Sequence, residues 1–338
     1  MYSLVRPLLF KLDPETAHHL TLQLIRLGRF QPLNSILRAI YAVPERPVQA
    51  FGLHFRNPVG LAAGYDKDGL AWRGLSALGF GHIEVGTVTP LPQPGNSKPR
   101  VFRLVEDGAV INRMGFPGLG ADYLAGKIRR RRRGGVIMGV NLGKNKDTPI
   151  ENAAGDYISL LRQFTPLADY LVVNVSSPNT SGLRRLQGRD LLEGLLGALA
   201  NERKDIAAAG GVSTPILVKL APDLSEEELD DALEAILRTG MDGVIATNTT
   251  LGRDGLQSKH AAETGGLSGE PLRLRSQAVL HSVVKKLDGR LPVVSVGGIM
   301  QPEHARARLD AGATLVQVYT GLVYAGPALV SQIVRGLS

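Results

Sequence analysis

Residues 174–180 read Asn-Val-Ser-Ser-Pro-Asn-Thr, two amides and three hydroxyls in seven positions, directly after the apolar run 170–173. A buried strand that stops in such a cluster holds hydrogen-bonding groups in place while the loop itself is free of packing duty. Elsewhere the chain carries further groups of the same kind, Asn112 and Asn248 with Thr249, and the cation Lys67. Asn112, Asn174, Asn179 and Asn248 each donate and accept, which suits a small ring of alternating carbonyl and N–H groups, and one lysine suits a carboxylate. The ligand sketched is a cyclic imide acid. Taken alone, 174–180 is equally a Ser/Asn/Pro turn; what decides between turn and site is how the other strands end.

Apolar, strand-like runs lie at 59–63, 82–85, 136–140, 170–173, 216–220, 244–246, 293–296 and 315–318, separated for the most part by helical stretches at 70–78, 152–164, 190–209, 225–238, 272–286 and 302–311. This alternation predicts a parallel sheet with crossover helices, and eight units predict closure into an α/β fold of the (β/α)8 TIM-barrel type. Short strands at 49–51 and 54–55 around Gly52 are expected to cap its bottom, and 89–117, rich in Pro and Gly, is too long for a βα loop and reads as an insertion at the mouth.

The strands end on Gly64 and Lys67, Thr87, Asn141, Asn174 with Ser177, Lys219, Thr247 with Asn248 and Thr249, Gly297 with Gly298, and Tyr319 with Thr320. All belong to the C-terminal mouth, a ring around one ligand-filled cavity. Gly297-Gly298 and Tyr319-Thr320 follow strands seven and eight, the usual phosphate position of the fold. Lys219 is placed to hold negative charge on a reduced flavin, and Asn141, Thr247 and Thr87 to pair with ring amides, so flavin mononucleotide (FMN) has the required shape. No G-x-G-x-x-G follows a strand, and Gly143-Lys144 fails the Walker spacing, which argues against Rossmann and triphosphate sites.

The 338 residues, 43% hydrophobic and 21% charged, suit one large soluble domain with an appendage. With no cysteine, disulfides, thiolate metal sites, iron–sulfur ligation and a cysteine base are excluded, and no metal is expected. The net charge of +8 suits nucleic acid, an anionic membrane or an anionic substrate without choosing among them. The basic run 129–133 reads as the solvated C-terminal end of a helix or as a contact to anionic lipid. No apolar run approaches membrane-spanning length, and Arg6, Lys11 and Asp13 break what would be a signal peptide.

Residues 1–45 form a separate helical piece ahead of the barrel domain, 46–338. Asp13-Pro14-Glu15 is an N-cap, a proline at the first helical position and a first-turn acid. Ala17, Leu20, Leu24 and Leu27 make one apolar stripe and Leu33, Ile36, Leu37 and Ile40 another, an αα-hairpin. With Leu4, Leu8, Leu9 and Phe10 it has more apolar surface than so small a unit can hide, so it docks on the barrel, dips into one membrane leaflet, or does both with different faces.

These residues resemble class 2, quinone-dependent dihydroorotate dehydrogenases over essentially the whole chain. The matching blocks are Gly60-Leu61-Ala62-Ala63-Gly64 with Asp66-Lys67-Asp68-Gly69, Glu84-Val85-Gly86-Thr87-Val88-Thr89-Pro90, Pro92-Gln93-Pro94-Gly95-Asn96, Ile111-Asn112-Arg113-Met114-Gly115-Phe116, residues 174–180, Lys219-Leu220-Ala221-Pro222-Asp223, Asn248-Thr249-Thr250 and Gly265-Gly266-Leu267-Ser268-Gly269. The resemblance implies oxidation of dihydroorotate to orotate in pyrimidine biosynthesis, with FMN as first acceptor and ubiquinone or menaquinone as second. By motif position Ser177 would be the base, Thr180 its proton relay through a water, and Phe116 the wall of that path. FMN would be held by Ala63, Gly64, Tyr65, Asp66, Lys67, Thr87, Asn141, Asn174, Lys219, Thr247, Gly269, Gly298, Tyr319 and Thr320. The substrate would meet Lys67, Asn112, Arg113, Met114, Gly115, Phe116, Asn174, Asn179, Asn248 and Thr249, and the quinone His18 and Arg103 at the end of an apolar funnel through the hairpin. The resemblance further implies a monomer, peripheral on the cytoplasmic face of a bacterial inner membrane, with no nucleic-acid partner. Tyr65, and Ser97 where a proline is frequent, depart from the pattern without touching a proton or hydride. Two rivals are a tRNA dihydrouridine synthase, which uses a cysteine acid that this chain lacks, and a membrane-surface module with a dead barrel, against which the amide ring and the lysines argue.

Overall fold

The computed structural model describes residues 2–129 and 135–337, so all of the 129–133 basic run except Arg129 lies outside the described residues. The barrel strands are β1 Val59–Leu61, β2 His82–Val88, β3 Ile137–Leu142, β4 Tyr170–Asn174, β5 Ile216–Leu220, β6 Gly243–Ala246, β7 Val293–Val296 and β8 Leu315–Val318. Each pairs in parallel with its neighbours in chain order, and β8 closes on β1, the expected (β/α)8 barrel. The strands are short apolar runs buried on both faces, as parallel strands under helices must be. The period of two sorts them: Leu171 and Val173 face the helices, while Tyr170 and Val172 join Leu217, Ile245, Val294 and Leu315 inside the barrel. The antiparallel pair Val48–Ala50 and Leu53–Phe55 packs Phe55 against this inner cluster and plugs the bottom.

Boundaries differ from the sequence reading where local chemistry intervenes. The Trp72–Ser76 helix is shorter than 70–78 because the Asp66 carboxylate accepts the N–H groups of Leu70 at 2.7 Å and Ala71 at 2.8 Å, organising the turn ahead of it. The insertion lies over the mouth as a hairpin, Val101–Leu104 and Ala109–Asn112, whose second strand pairs with Gly266–Gly269 from the β6 connection.

The N-terminal piece has three helices, α1 Tyr2–Lys11, α2 Pro14–Arg26 and α3 Leu33–Ile40. The sequence reading had only the last two, because Pro7 interrupts the pattern of α1. Asp13 caps α2, its carboxylate accepting the Thr16 N–H at 2.9 Å. Glu15 does more than occupy the first turn. Buried at 6% exposure, it pairs with the equally buried Arg100 at 2.7 Å and so bolts α2 to the insertion. Removing one member of a buried pair strands the other. Glu15→Ala should therefore lower stability by about 3 kcal/mol and open the segment after α2 to protease; an unchanged melting temperature and cleavage pattern would refute the bolt.

Candidate active site

Period-two alternation also delivers the polar groups. On β2 it turns Glu84 inward with His82, on β3 Asn141, on β4 Asn174, on β5 Lys219 and on β8 Gln317, all buried. Glu84 organises the layer below the mouth, its carboxylate accepting Asn141 Nδ2 at 2.7 Å through one oxygen and Gln317 Nε2 at 2.7 Å through the other. With its amide so oriented, Asn141 presents its carbonyl oxygen to Asn174 Nδ2 at 3.0 Å and to the Thr87 hydroxyl. The chain continues upward: Asn248 Nδ2 donates to Asn174 Oδ1 at 3.2 Å and to Ser176 Oγ at 2.9 Å, and Asn179 Nδ2 to Asn112 Oδ1 at 3.2 Å. Asn141, Asn174, Asn248 and Gln317, from remote segments, thus share one network with Glu84, and Asn112 and Asn179 form a separate pair. Buried hydrogen bonds of this kind restrict the orientations of their members.

Above it opens a cavity of about 540 Å3. Lys67, Thr87, Asn112, Asn174, Ser177, Asn179, Lys219, Thr247, Asn248 and Thr249 all line it, with Ala63, Gly64, Tyr65, Met114, Gly115 and Phe116. At one end Gly269, Gly298, Tyr319 and Thr320 complete the wall, together with Gly297 and Gly321. Three of these glycines admit no side chain. A Cβ on Gly298 would lie 2.3 Å from Arg273 Cα, one on Gly321 2.3 Å from the Ile299 carbonyl oxygen, and one on Gly269 2.3 Å from the Gly108 carbonyl oxygen. Gly298 and Gly269 also sit at φ +71° and +99°. Bare backbone beside the start of the Thr320–Ala325 helix offers N–H groups of the kind that suit an anion such as phosphate.

Four of the expected residues do not line the cavity. Asp66 spends its carboxylate on backbone N–H groups, and burial pushes its pKa up to about 6. Asn141 is one layer down, acting on Thr87 and Asn174. Arg113 turns outward to Glu263 at 2.6 Å and stacks over Phe102. Thr180 lies behind the wall at 5% exposure, and its hydroxyl has no partner. The sequence reading missed Glu84, Gln317 and Ser268, whose hydroxyl lies 2.8 Å from that of Thr320. Extending the alternation of β2 and β8 would have flagged the first two.

Burial governs the charges. Lys67, which donates to the Gly64 carbonyl oxygen at 2.7 Å, is pushed down to about 8 by desolvation, only partly offset by Asp68 and Glu15. Lys219 is lowered by the same cause, with Glu84 opposing it. Ser177 Oγ accepts the Asn179 N–H at 3.3 Å, and among the described residues no group accepts its proton. Phe116 stands at φ +52°, unusual for a bulky residue, and packs its ring against Gly143, where a Cβ would lie 3.0 Å away.

The same cavity continues between the N-terminal helices, where Leu9, Phe10, Ala17, Leu24 and Ile25 line it. His18 meets the Tyr65 ring edge-on at 5.0 Å, and Tyr65 meets Tyr319 at 5.7 Å, an aromatic file from the helices to the cradle end. Desolvation, then the Lys67 charge, pushes His18 down to about 3, so it is neutral. Arg103 stacks over Phe10 and donates to its carbonyl oxygen at 3.1 Å. Outside, Leu4 is 78%, Leu8 64% and Ile40 55% exposed, an uncovered apolar face. No helix among the described residues is long and apolar enough to cross a membrane, and none of their His, Asp and Glu side chains group as a metal site.

Residues 47–338 match the family described as dihydroorotate dehydrogenase. The chain is 51% identical over its full length to a protein of Azotobacter vinelandii and 52% to one of Stutzerimonas stutzeri, covering 97% and 98% of them; both are named dihydroorotate dehydrogenase (quinone). A crystal structure of DHODH from Eimeria tenella in complex with ferulenol superposes with a TM-score of 0.88 at 39% identity, over 96% of this chain and 90% of that one.

Proposed function

The chain belongs to the dihydroorotate dehydrogenase family and is a flavin-dependent enzyme that oxidises dihydroorotate to orotate in pyrimidine biosynthesis with quinone as acceptor; we propose that its flavin is FMN, seated in the cavity at the barrel mouth. One observation carries this: a single cavity has a glycine-lined cradle at one end, two lysines and side-chain amides in the middle, and an apolar passage at the other end. Held there between the glycine-lined end and Lys219, the flavin would supply the two-electron redox chemistry that links substrate and quinone.

The protein's own groups have separate tasks. Asn112, Asn174, Asn179 and Asn248 orient the substrate ring, and Lys67 holds its carboxylate. Ser177 Oγ removes the proton from the carbon beside the oxidised one. A hydroxyl is a weak base and needs an outlet, which the unpartnered Thr180 hydroxyl supplies through a water. Phe116 shields this path, and Lys219 balances the negative charge that reduction brings. Residues 46–338 are the catalytic unit, and residues 1–45 form the quinone passage, ending at His18 and Arg103. We place the enzyme as a monomer on the cytoplasmic face of a bacterial inner membrane. The uncovered apolar face supports contact with lipid, as does a second cavity lined by Arg26, Arg29, Arg73, Lys127 and Arg129 with no carboxylate. Denaturation should release a yellow pigment identical to FMN by mass; a dinucleotide or a flavin lacking phosphate would defeat the cofactor reading.

A pH dependence follows from Lys67. Below a pKa of about 8 it is protonated and attracts an anion; above it, protonation must accompany binding. Orotate affinity, read from the flavin spectrum, should be flat up to about pH 8 and then fall roughly tenfold per unit. Lys67→Met should bind weakly at every pH with no break. A break that persists in that variant would assign the titration to another group.

A further inference from the structure

Arg308, on the helix Pro302–Asp310, has no part in the chemistry above, yet its side chain is wholly buried. Its Nη2 donates to the Arg273 carbonyl oxygen at 2.7 Å, Ser276 Oγ at 2.8 Å and the Gly297 carbonyl oxygen at 3.0 Å, and its Nη1 to Ser295 Oγ at 3.3 Å. Its Nε has no partner, and among the described residues no carboxylate pairs with it. The charge that bears on it is another cation, Arg273. Burial and that neighbour push Arg308 down to about 10, so it remains charged at pH 7. A buried guanidinium without a counter-ion costs several kcal/mol, which carbonyl and hydroxyl acceptors offset only in part.

The place of the missing anion follows from the peptide between Gly297 and Gly298. The Gly297 carbonyl oxygen receives both Arg308 Nη2 and Ser276 Oγ, at 3.0 Å and 2.8 Å. In a planar trans peptide the carbonyl and the following N–H point in opposite directions. The Gly298 N–H therefore points away from Arg308, and both glycines line the cavity. The peptide dipole has its negative end on the guanidinium and its positive end turned away from it.

We propose that Arg308 is the counter-charge of the phosphate group held in this cradle, a positioning residue that acts through the Gly297–Gly298 peptide. The proposal rests on the reading that the flavin carries a terminal phosphate. Its test compares the release of FMN from diluted holoenzyme, followed by flavin fluorescence, with the release of riboflavin, which lacks the phosphate, after exchange into the same protein. Arg308→Gln should speed FMN loss about 100-fold, the worth of one charge-assisted contact, and leave riboflavin loss within a few-fold. Arg308→Lys should recover most of the FMN retention. If the glutamine variant does not fold, Ser276→Ala, which frees the guanidinium from one anchor, should speed FMN loss several-fold and spare riboflavin.

Equal acceleration of both flavins would make Arg308 a packing residue, and unchanged FMN release in either variant would remove it from phosphate binding; each overturns the proposal. The pigment of the unaltered protein separates the two levels. If it is not FMN, the cofactor reading fails first; if it is FMN and the variants behave alike toward both flavins, only the role of Arg308 fails.

Discussion

Ser177→Ala is expected to slow the bleaching of bound flavin by dihydroorotate by roughly 10²- to 10⁴-fold, the range over which a positioned general base acts. Flavin content should not change, because the cradle and Lys219 are untouched. The expected effect is large because of what surrounds the hydroxyl. Ser177 is 6% exposed, its oxygen accepts a backbone N–H, and its proton is uncommitted among the described residues. Close behind in the chain lies the unpartnered Thr180 hydroxyl, a polar group that burial makes costly unless a water or a proton path uses it. The Phe116 ring, on a left-handed backbone against Gly143, lines the same cavity. Anaerobic stopped-flow absorbance measures the rate directly, and near-normal bleaching would remove Ser177 as the base.

Filling the passage instead of the mouth should give the complementary phenotype. Ala17 is 6% exposed and lines the cavity between the N-terminal helices. Ala17→Trp is expected to cut steady-state quinone reduction at least 100-fold while flavin bleaching by dihydroorotate stays within about two-fold, since a blocked passage removes one half-reaction and leaves the other. Removal of residues 1–46 should act in the same direction. Parallel loss of bleaching in the tryptophan variant would mean that the helices support the barrel mouth and do not conduct quinone.

Much of the fold was legible because parallel strands buried on both faces are short apolar runs, and each run found by that rule lies within three residues of the ends of a barrel strand. The polar strand ends were legible for the same reason: Asn174 and Lys219 interrupt runs that are otherwise apolar. Motif matching was less able to separate neighbours within a block. It placed Asp66 and Lys67 together, whereas Asp66 turns back to cap the chain at 70–71 and Lys67 turns into the cavity. It placed Arg113 with Asn112, whereas the strand ends at Asn112 and Arg113 leaves for Glu263. The pairing of Glu84 with Gln317 and the burial of Arg308 were out of reach for a different reason. Glu84 and Gln317 are far apart in sequence and only barrel closure brings them together, while Arg308, close to Gly297 in the chain, belongs to a largely polar helix that gives no sign of a buried charge. The α1 helix was missed because Pro7 hides its pattern and its stability comes from contacts beyond itself, such as the Tyr2 hydroxyl donating to the Val323 carbonyl oxygen.

The most direct test of one cavity serving two half-reactions is an anaerobic titration of the purified protein. Dihydroorotate alone should bleach the FMN spectrum to completion at one equivalent per flavin, and quinone added afterwards should restore it fully. In the Ala17→Trp protein the first step should survive and the second should stall. Bleaching without restoration by any quinone in the unaltered protein, or restoration at the normal rate in the variant, would contradict it.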